Sequence, residues 1–171
     1  MKFYISYFYQ IRFFEKHMIP ISTCYSDPNW YYNYRQPGTI YKDKHGVLNG
    51  LREDSLMIDE DRVNQVEAAD KMCKKDCPFK EHLPCMFMRK YREYLDTLDF
   101  DELVNKLTRA AEISAEILKL DCEPVIVLMV YEPISCKCAE RPVLQAYFKA
   151  HGIDLLEWQP PHKVEKHIDL F

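Results

Sequence analysis

The amino-acid sequence predicts an α/β fold, namely one three-layer domain with a mainly parallel sheet. A continuous apolar run at residues 125–131 is typical of a strand buried on both faces, as in a parallel sheet. The segment before it carries a broad apolar stripe, as expected for a helix packed on that sheet. A helix pattern and a further strand pattern follow, which gives the order of a right-handed βαβ unit.

The N-terminal third of the chain predicts two strands and a loop. With 171 residues, the chain fits one domain, residues 1–171, that buries roughly two thirds of its unfolded surface. The strands are predicted at residues 3–8 and 18–24, where β-branched and aromatic residues are frequent. Prolines and glycines at residues 26–49 predict a long irregular loop. Trp30 and the tyrosines of this loop either form a stacking surface for a base or sugar, or anchor the loop to the core.

A helical insertion that contains cysteines is predicted at about residues 59–97. Asp59 is the predicted N-cap of its first helix, at residues 59–72. Apolar residues at helical spacing predict a second helix at residues 85–95.

The C-terminal half predicts the helices that pack against the sheet. Asp99 is the predicted N-cap of the longest helix, at residues 100–120. Pro142 suits the first turn of a helix that ends near Gly152. Residues 153–158 predict the last strand.

Composition and charge narrow the functional class. The formal net charge is -4, whereas proteins that bind nucleic acid by charge alone are usually basic. A nucleic-acid role therefore requires a local patch or a small nucleotide-like substrate. Because no apolar run approaches a membrane span and the start does not resemble a signal peptide, we expect a cytoplasmic protein without a membrane partner. The seven cysteines, an odd number, favour reduced thiols or metal ligands.

The loop after the central strand is the predicted functional site, because open α/β folds bind ligands at the carboxyl ends of their strands. Cys138 lies there beside Arg141, at a helix N-terminus that favours a thiolate nucleophile. Arg141 is suited to bind a phosphate or carboxylate, and Glu132 to act as a general acid or base. The alternative is structural: Glu132 and Arg141 form an ion pair, and Cys138 is a small buried apolar residue.

A second group of cysteines predicts a zinc site. Cys73 and Cys77 have the spacing of a metal-ligand pair, and Cys85 follows as a third thiolate. The candidates for a fourth ligand are His82, Cys136 and Cys138. An iron-sulfur cluster is the less favoured occupant. The alternative is that these are buried free cysteines in a helical hairpin. Two further cysteines, Cys24 and Cys122, lie in or beside strands and are predicted to be core residues.

The segment VIVLMVYEPISCKCAERPVLQAYFKAHGIDLLEW resembles the C-terminal signature of the family of domains of unknown function numbered 488. The segments FYISYFYQIRFF and MIPISTCYSDPNWY are similar to the opening of one branch of that family, so the resemblance covers about half of the chain. By position, the residues that match the family's motifs are Tyr7, Arg12, Tyr131, Glu132, Cys138 and Arg141. The family commonly has Cys-His-Arg, where this chain has Cys-Ala-Glu-Arg at residues 138–141.

The resemblance implies a Rossmann-like fold of microbial and phage-type proteins, and a role on nucleotides or nucleic acids by analogy of fold. The leading hypothesis is an enzyme with a nucleotide or nucleic-acid substrate, or another anionic small molecule. Its predicted catalytic residues are Cys138 and Glu132, and its predicted substrate-binding residues are Arg141, Tyr7, Arg12 and Tyr131. The alternative is a non-catalytic binding module stabilised by zinc, with Cys73, Cys77, Cys85 and Cys136 as ligands. The sequence does not predict the oligomeric state.

Overall fold

A computed structural model describes residues 1–32, 39–57, 86–132 and 139–160. Its strands are β1 (Lys2–Tyr7), β2 (Met18–Ser22), β3 (Tyr41–Lys42), β4 (Leu48–Asn49), β5 (Leu51–Arg52), β6 (Val125–Val130) and β7 (Leu156–Glu157). The α-helices of the described residues are α1 (Met86–Leu95), α2 (Phe100–Leu118) and α3 (Glu140–Ala150). Five strands form one sheet in the order β5-β2-β6-β1-β7, and all of its neighbouring pairs are parallel. The predicted α/β fold with a mainly parallel sheet is therefore confirmed.

The apolar strand β6 lies at the centre of this sheet, as its sequence predicts. It pairs with β1 from Val125 to Val130 on one side and with β2 on the other. Its side chains alternate between two cores, so that Leu128 packs on one face of the sheet and Met129 on the other. A strand with partners on both edges and cores on both faces has no solvated side, which explains the continuous apolar run.

Three α-helices cover one face of the sheet. Buried side chains of α1, α2 and α3 share a single cluster with apolar residues of β1, β2 and β6. Helix α2 begins where it was predicted, because the carboxylate of Asp99 accepts a hydrogen bond from the backbone N–H of Glu102 at 3.0 Å. It ends earlier than predicted, at Leu118, because Lys119 takes a left-handed conformation.

The other face is covered by short irregular elements in the described part of the chain. A 3₁₀ helix, Phe8–Phe13, connects β1 to β2, and its buried residues pack with Tyr31 against the sheet. The hydroxyl of Tyr31 is bonded to the carbonyls of Pro20 and Leu51, at 2.9 and 2.8 Å. The predicted irregular loop is wrong in part, because this region contains the 3₁₀ helix Asn29–Tyr31 and the β3–β4 hairpin.

Other differences from the sequence predictions concern short elements. Strand β5 was not predicted, and β7 is much shorter than the predicted strand, because two-residue strands leave almost no periodic pattern. Strand β7 pairs with β1 and not with β6.

Of the two cysteines that were predicted to be core residues, Cys24 is buried, whereas Cys122 is exposed, so the prediction for Cys122 is wrong. The helix predicted at residues 59–72 lies outside the described residues. No helix among those described is long and apolar enough to span a membrane.

Candidate functional site

Polar side chains gather at the carboxyl edge of the sheet, where the parallel strands end. A parallel sheet collects the residues that follow each strand at one edge, and open α/β proteins bind their ligands there. The chain places charged or hydroxyl side chains directly at or after the strand ends of β2, β5, β6 and β7. Among them are Asp27 after β2, Arg52 at the end of β5, Glu132 after β6 and Glu157 at the end of β7.

A buried network fixes the ends of β2 and β5. The Asp27 carboxylate accepts hydrogen bonds from the hydroxyls of Ser22 and Tyr32 and from Arg52 Nη1, the last at 2.5 Å. Burial raises the pKa of Asp27, while the bond from Ser22 and the charge of Arg52 oppose that rise. Arg52 also donates to the carbonyl of Cys24 at 2.9 Å and to Asp54 at 3.1 Å. Because so many of its donors are engaged, Arg52 stabilises the edge.

Arg141 joins α3 to two strand ends. Its side chain is only 6% exposed, and its Nη2 donates to the backbone carbonyl of Glu132 at 2.6 Å. Its Nε lies 2.8 Å from Oε2 of Glu157. Burial raises the pKa of Glu157 to about 7, and the charge of Arg141 opposes that rise. Arg141 thus holds the first turn of α3 against the ends of β6 and β7, and it positions Glu132.

Glu140 is a buried carboxyl group in the first turn of α3. It is 7% exposed, and its Oε2 accepts no hydrogen bond from the described residues. Burial raises its pKa to about 8, with a further rise from the negative charge of Glu132 and an opposing effect of Arg141. Glu140 is therefore mainly protonated at neutral pH. Glu132 Oε2 also lacks a hydrogen-bond partner among the described residues.

A buried thiol lies within the electrostatic reach of these carboxyl groups. Cys24 follows β2 and is 3% exposed. Burial raises the pKa of its thiol, and the charges of Glu140, Asp27 and Glu132 raise it further. Cys24 consequently stays protonated and is not a nucleophile at neutral pH. The carboxyl edge is therefore an acidic site, in which the buried carboxyl of Glu140 lies within the electrostatic reach of Glu132.

No family model, no curated protein and no solved structure matches the chain.

Three predicted substrate-binding residues lie near each other around the end of β1. Tyr7 ends that strand, and its hydroxyl accepts a hydrogen bond from Gln10 at 2.9 Å. Its ring stacks on that of Tyr9, and the guanidinium of Arg12 lies 3.5 Å from the centroid of the Tyr9 ring. Tyr131 is 61% exposed after β6. The fourth, Arg141, is buried against Glu157 and donates to the carbonyl of Glu132, the residue after Tyr131.

The remaining predicted site residues lie outside the described residues. They are the predicted nucleophile Cys138 and the predicted metal ligands Cys73, Cys77, Cys85 and Cys136, together with His82. Within the described ranges, no group of three or more side chains is placed to hold a metal ion. The zinc site therefore remains a prediction.

That prediction has a direct test by elemental mass spectrometry of protein purified without added metal. We expect stoichiometric zinc in the wild type and its loss in a Cys73→Ser/Cys77→Ser variant, because both thiolates are predicted ligands. Chelation should also lower the melting temperature, since metal-binding free energy contributes to folding. A Cys122→Ser variant, changed at an exposed thiol, serves as the control and should keep its metal. Wild-type protein without zinc or iron would contradict the site.

Several residues of the acidic edge were not predicted from the sequence. Glu140 precedes Arg141 in the first turn of a helix, where glutamate is usually solvated and favoured by the helix dipole. Glu157 lies in strand β7, whose bounds the sequence pattern predicts poorly. A useful signal was present nonetheless, because any side chain in the first turn after a central parallel strand lies near the carboxyl edge.

Proposed function

We propose that the protein is an enzyme of nucleotide or nucleic-acid metabolism that cleaves a bond of its substrate by general acid–base catalysis. The observation that supports this is the carboxyl pair at the carboxyl edge, in which the buried Glu140 has a pKa raised to about 8 beside the charge of Glu132. A buried carboxyl that keeps its proton at neutral pH is suited to the role of acid, and a neighbouring carboxyl can act as the base of the same reaction.

The proposed reaction is a hydrolysis. Glu140 donates its proton to the leaving atom as the bond to that atom breaks. Glu132 accepts a proton from a water molecule, whose oxygen forms the new bond to the substrate. At the end Glu140 is ionised and Glu132 is protonated, and proton exchange with solvent restores both. A carboxyl group with a pKa near 8 carries the required proton at neutral pH, where an ordinary glutamate does not.

Arg141 has a positioning role in this proposal. Its contacts with Glu157 and with the Glu132 carbonyl fix the first turn of α3, which carries Glu140. The sequence-based hypothesis of Arg141 as a clamp for an anionic group remains a proposal. Cys138 remains the proposed nucleophile of a covalent variant. Its thiol gives its proton to Glu132, and its sulfur forms a bond to the substrate while Glu140 protonates the leaving atom. A water molecule then breaks the sulfur–substrate bond, its oxygen going to the substrate and one proton returning to the sulfur.

The test starts with a panel of nucleotides, nucleosides and short oligonucleotides incubated with the wild-type protein, with products separated by chromatography. On the substrate that is cleaved, Glu140→Gln and Glu132→Gln should each lower the rate about 100-fold or more, because each removes one proton-transfer group. Activity of the wild type should fall as the pH rises through about 8, where Glu140 loses its proton.

A matched control is Glu102→Gln, which removes an exposed carboxyl from the first turn of α2 and should leave the rate unchanged. Cys138→Ala separates the two variants of the mechanism, since only the covalent one requires the thiol. Wild-type rates in both Glu140→Gln and Glu132→Gln, or no cleavage across the panel, would contradict the proposal.

A further inference from the structure

A second site lies on the face of the sheet opposite the α-helices. A cavity of about 370 Å³ opens between the 3₁₀ helix Phe8–Phe13, Trp30 and the β3–β4 hairpin. Its volume is within the range of small-ligand pockets. The residues that line it are aromatic, basic or amide side chains for the most part: Phe8, Tyr9, Ile11, Arg12, Trp30, Tyr41, Asp43, Lys44, His45 and Asn49. None of them belongs to the acidic carboxyl pair.

Trp30 provides an aromatic platform in this cavity. It is 49% exposed, although the Tyr41 hydroxyl donates a hydrogen bond to its carbonyl and the Phe8 ring packs edge-on 6.2 Å from its ring centroid. An aromatic ring that is held in place but accessible to solvent is suited to stack on a nucleic-acid base. Asn49 also lines the cavity, and its buried Oδ1 has no hydrogen-bond partner among the described residues.

Cationic side chains continue from this cavity into an adjoining one. Arg12 is held over the ring of Tyr9, at 3.5 Å from its centroid, and Lys44 lies on the opposite wall. The second cavity, of about 410 Å³, shares His45 with the first and adds Lys16 and Lys42. The described part of the chain contains no ion-pair partner for these lysines or for Arg12.

Two carboxylates line the cavities, and one of them, Asp43, is engaged in hydrogen bonds. Asp43 accepts hydrogen bonds from the backbone N–H groups of His45 and Val47, at 2.8 and 3.0 Å, and from the Asn49 amide. Glu15 lies 3.5 Å from Nδ1 of His17. Four cations face two carboxylates here, whereas the whole chain has a net charge of -4. This surface is therefore locally complementary to an anion.

We infer that the two cavities form one binding track for single-stranded nucleic acid. A base stacks on Trp30, the nearest phosphate contacts Arg12 and Lys44, and the next phosphates run toward Lys42 and Lys16. Because the cations are spread over two cavities, a strand of several nucleotides can contact all of them, whereas a single phosphate cannot. RNA and DNA share this chemistry. The inference deepens the proposed function by placing its substrate, but binding itself requires neither Glu140 nor Glu132.

The test is fluorescence anisotropy with labelled ten-nucleotide poly-U and poly-dT strands at two salt concentrations. Trp30→Ala should weaken binding about tenfold or more, the loss expected for one base-stacking aromatic. The double variant Arg12→Gln/Lys44→Gln should weaken binding of both strands. It should also reduce the slope of log Kd against log salt concentration by about 0.7 for each phosphate contact that is lost. Lys149→Gln, on the exposed side of α3, and Ile117→Ala, at an exposed apolar position of α2, are the controls and should bind as the wild type.

The choice of ligand and the controls decide whether the track binds nucleic acid. Preference for one of the two strands supports the track and identifies RNA or DNA as its ligand. Polyglutamate of equal charge that binds as tightly would overturn the inference, because an acidic peptide has no bases for Trp30. Equal weakening in Lys149→Gln would overturn it too, since the attraction would then be nonspecific. Circular dichroism melting of Arg12→Gln/Lys44→Gln, which changes only exposed side chains, separates lost binding from lost folding.

The same measurements separate this inference from the proposed function. Tight binding that depends on Trp30, with no cleavage of any strand, supports the track and contradicts the acid–base proposal. Cleavage that depends on Glu140 but is unaffected by Trp30→Ala and Arg12→Gln/Lys44→Gln contradicts the track and supports the acid–base proposal. Glu140→Gln should bind the strands as tightly as the wild type.

Discussion

Replacing Glu140 with glutamine should stabilise the protein at alkaline pH even though it removes the proposed catalytic acid. Ionising Glu140 above pH 8 leaves a negative charge that is 93% buried, whereas glutamine stays neutral. We expect the variant to gain about 2–4 kcal/mol in free energy of unfolding at pH 9 relative to wild type, or about 5–15 °C in melting temperature.

The direction follows from proton binding in the two states. The pKa of Glu140 is about 8 in the folded protein, against an ordinary value of 4.5. Between these values the folded state holds the proton and the unfolded state does not. The stabilisation from this group is therefore complete below the ordinary pKa and is lost as the pH rises through about 8. Glu157, with a pKa raised to about 7, acts in the same direction. Glu140→Gln therefore removes only part of the pH dependence of the free energy of unfolding.

Urea titrations at pH 5, 7 and 9 measure the effect. The wild type should lose stability between pH 5 and 9, and Glu140→Gln should lose less. Glu102→Gln removes an exposed carboxyl from the equivalent turn of α2 and should follow the wild type at every pH. A variant that is no more stable than the wild type at pH 9 would show that Glu140 is not buried as a neutral acid.

Replacing Arg141 with methionine should destabilise the protein by about 3–5 kcal/mol, the second large effect that we expect. The substitution removes the partner of Glu157, whose Oε2 lies 2.8 Å from Arg141 Nε, and the donor to the Glu132 carbonyl. A buried carboxylate without its cation costs much more than the ion pair itself contributes. Denaturant unfolding at pH 8, where Glu157 is mostly ionised, measures the loss.

The double variant Arg141→Met/Glu157→Gln separates the two sources of that loss. Removing the unpaired charge should restore part of the stability, so the effects of the two substitutions should not add. Additive effects would contradict the ion pair. The double variant also tests Arg141 as a clamp for substrate, because a stable double variant that has lost substrate affinity would support that role.

The elements that could be predicted from the sequence are those in which the pattern of apolar residues along the segment indicates which positions are buried. Strand β6 is apolar at every position because a core lies on each of its faces. The apolar stripe of α2 marks the one face of that helix that packs against the sheet. The cap at Asp99 was also predictable, because its interaction is confined to one helical turn. The two-residue strands β5 and β7 were missed or misplaced, since pairing with longer neighbours stabilises them and their own residues carry no pattern.

For the site, the sequence by itself determined the strand and the helix that lead to the carboxyl edge, together with Glu132 and Arg141 as residues near it. Only the tertiary structure decided that Glu140 is buried beside Glu132 and that Arg141 lies against Glu157. The reason is physical: the environment of a side chain depends on which distant segments fold around it. The periodicity of apolar residues indicates the face of a helix or strand on which a residue lies. It does not indicate which side chain of a distant segment that residue contacts.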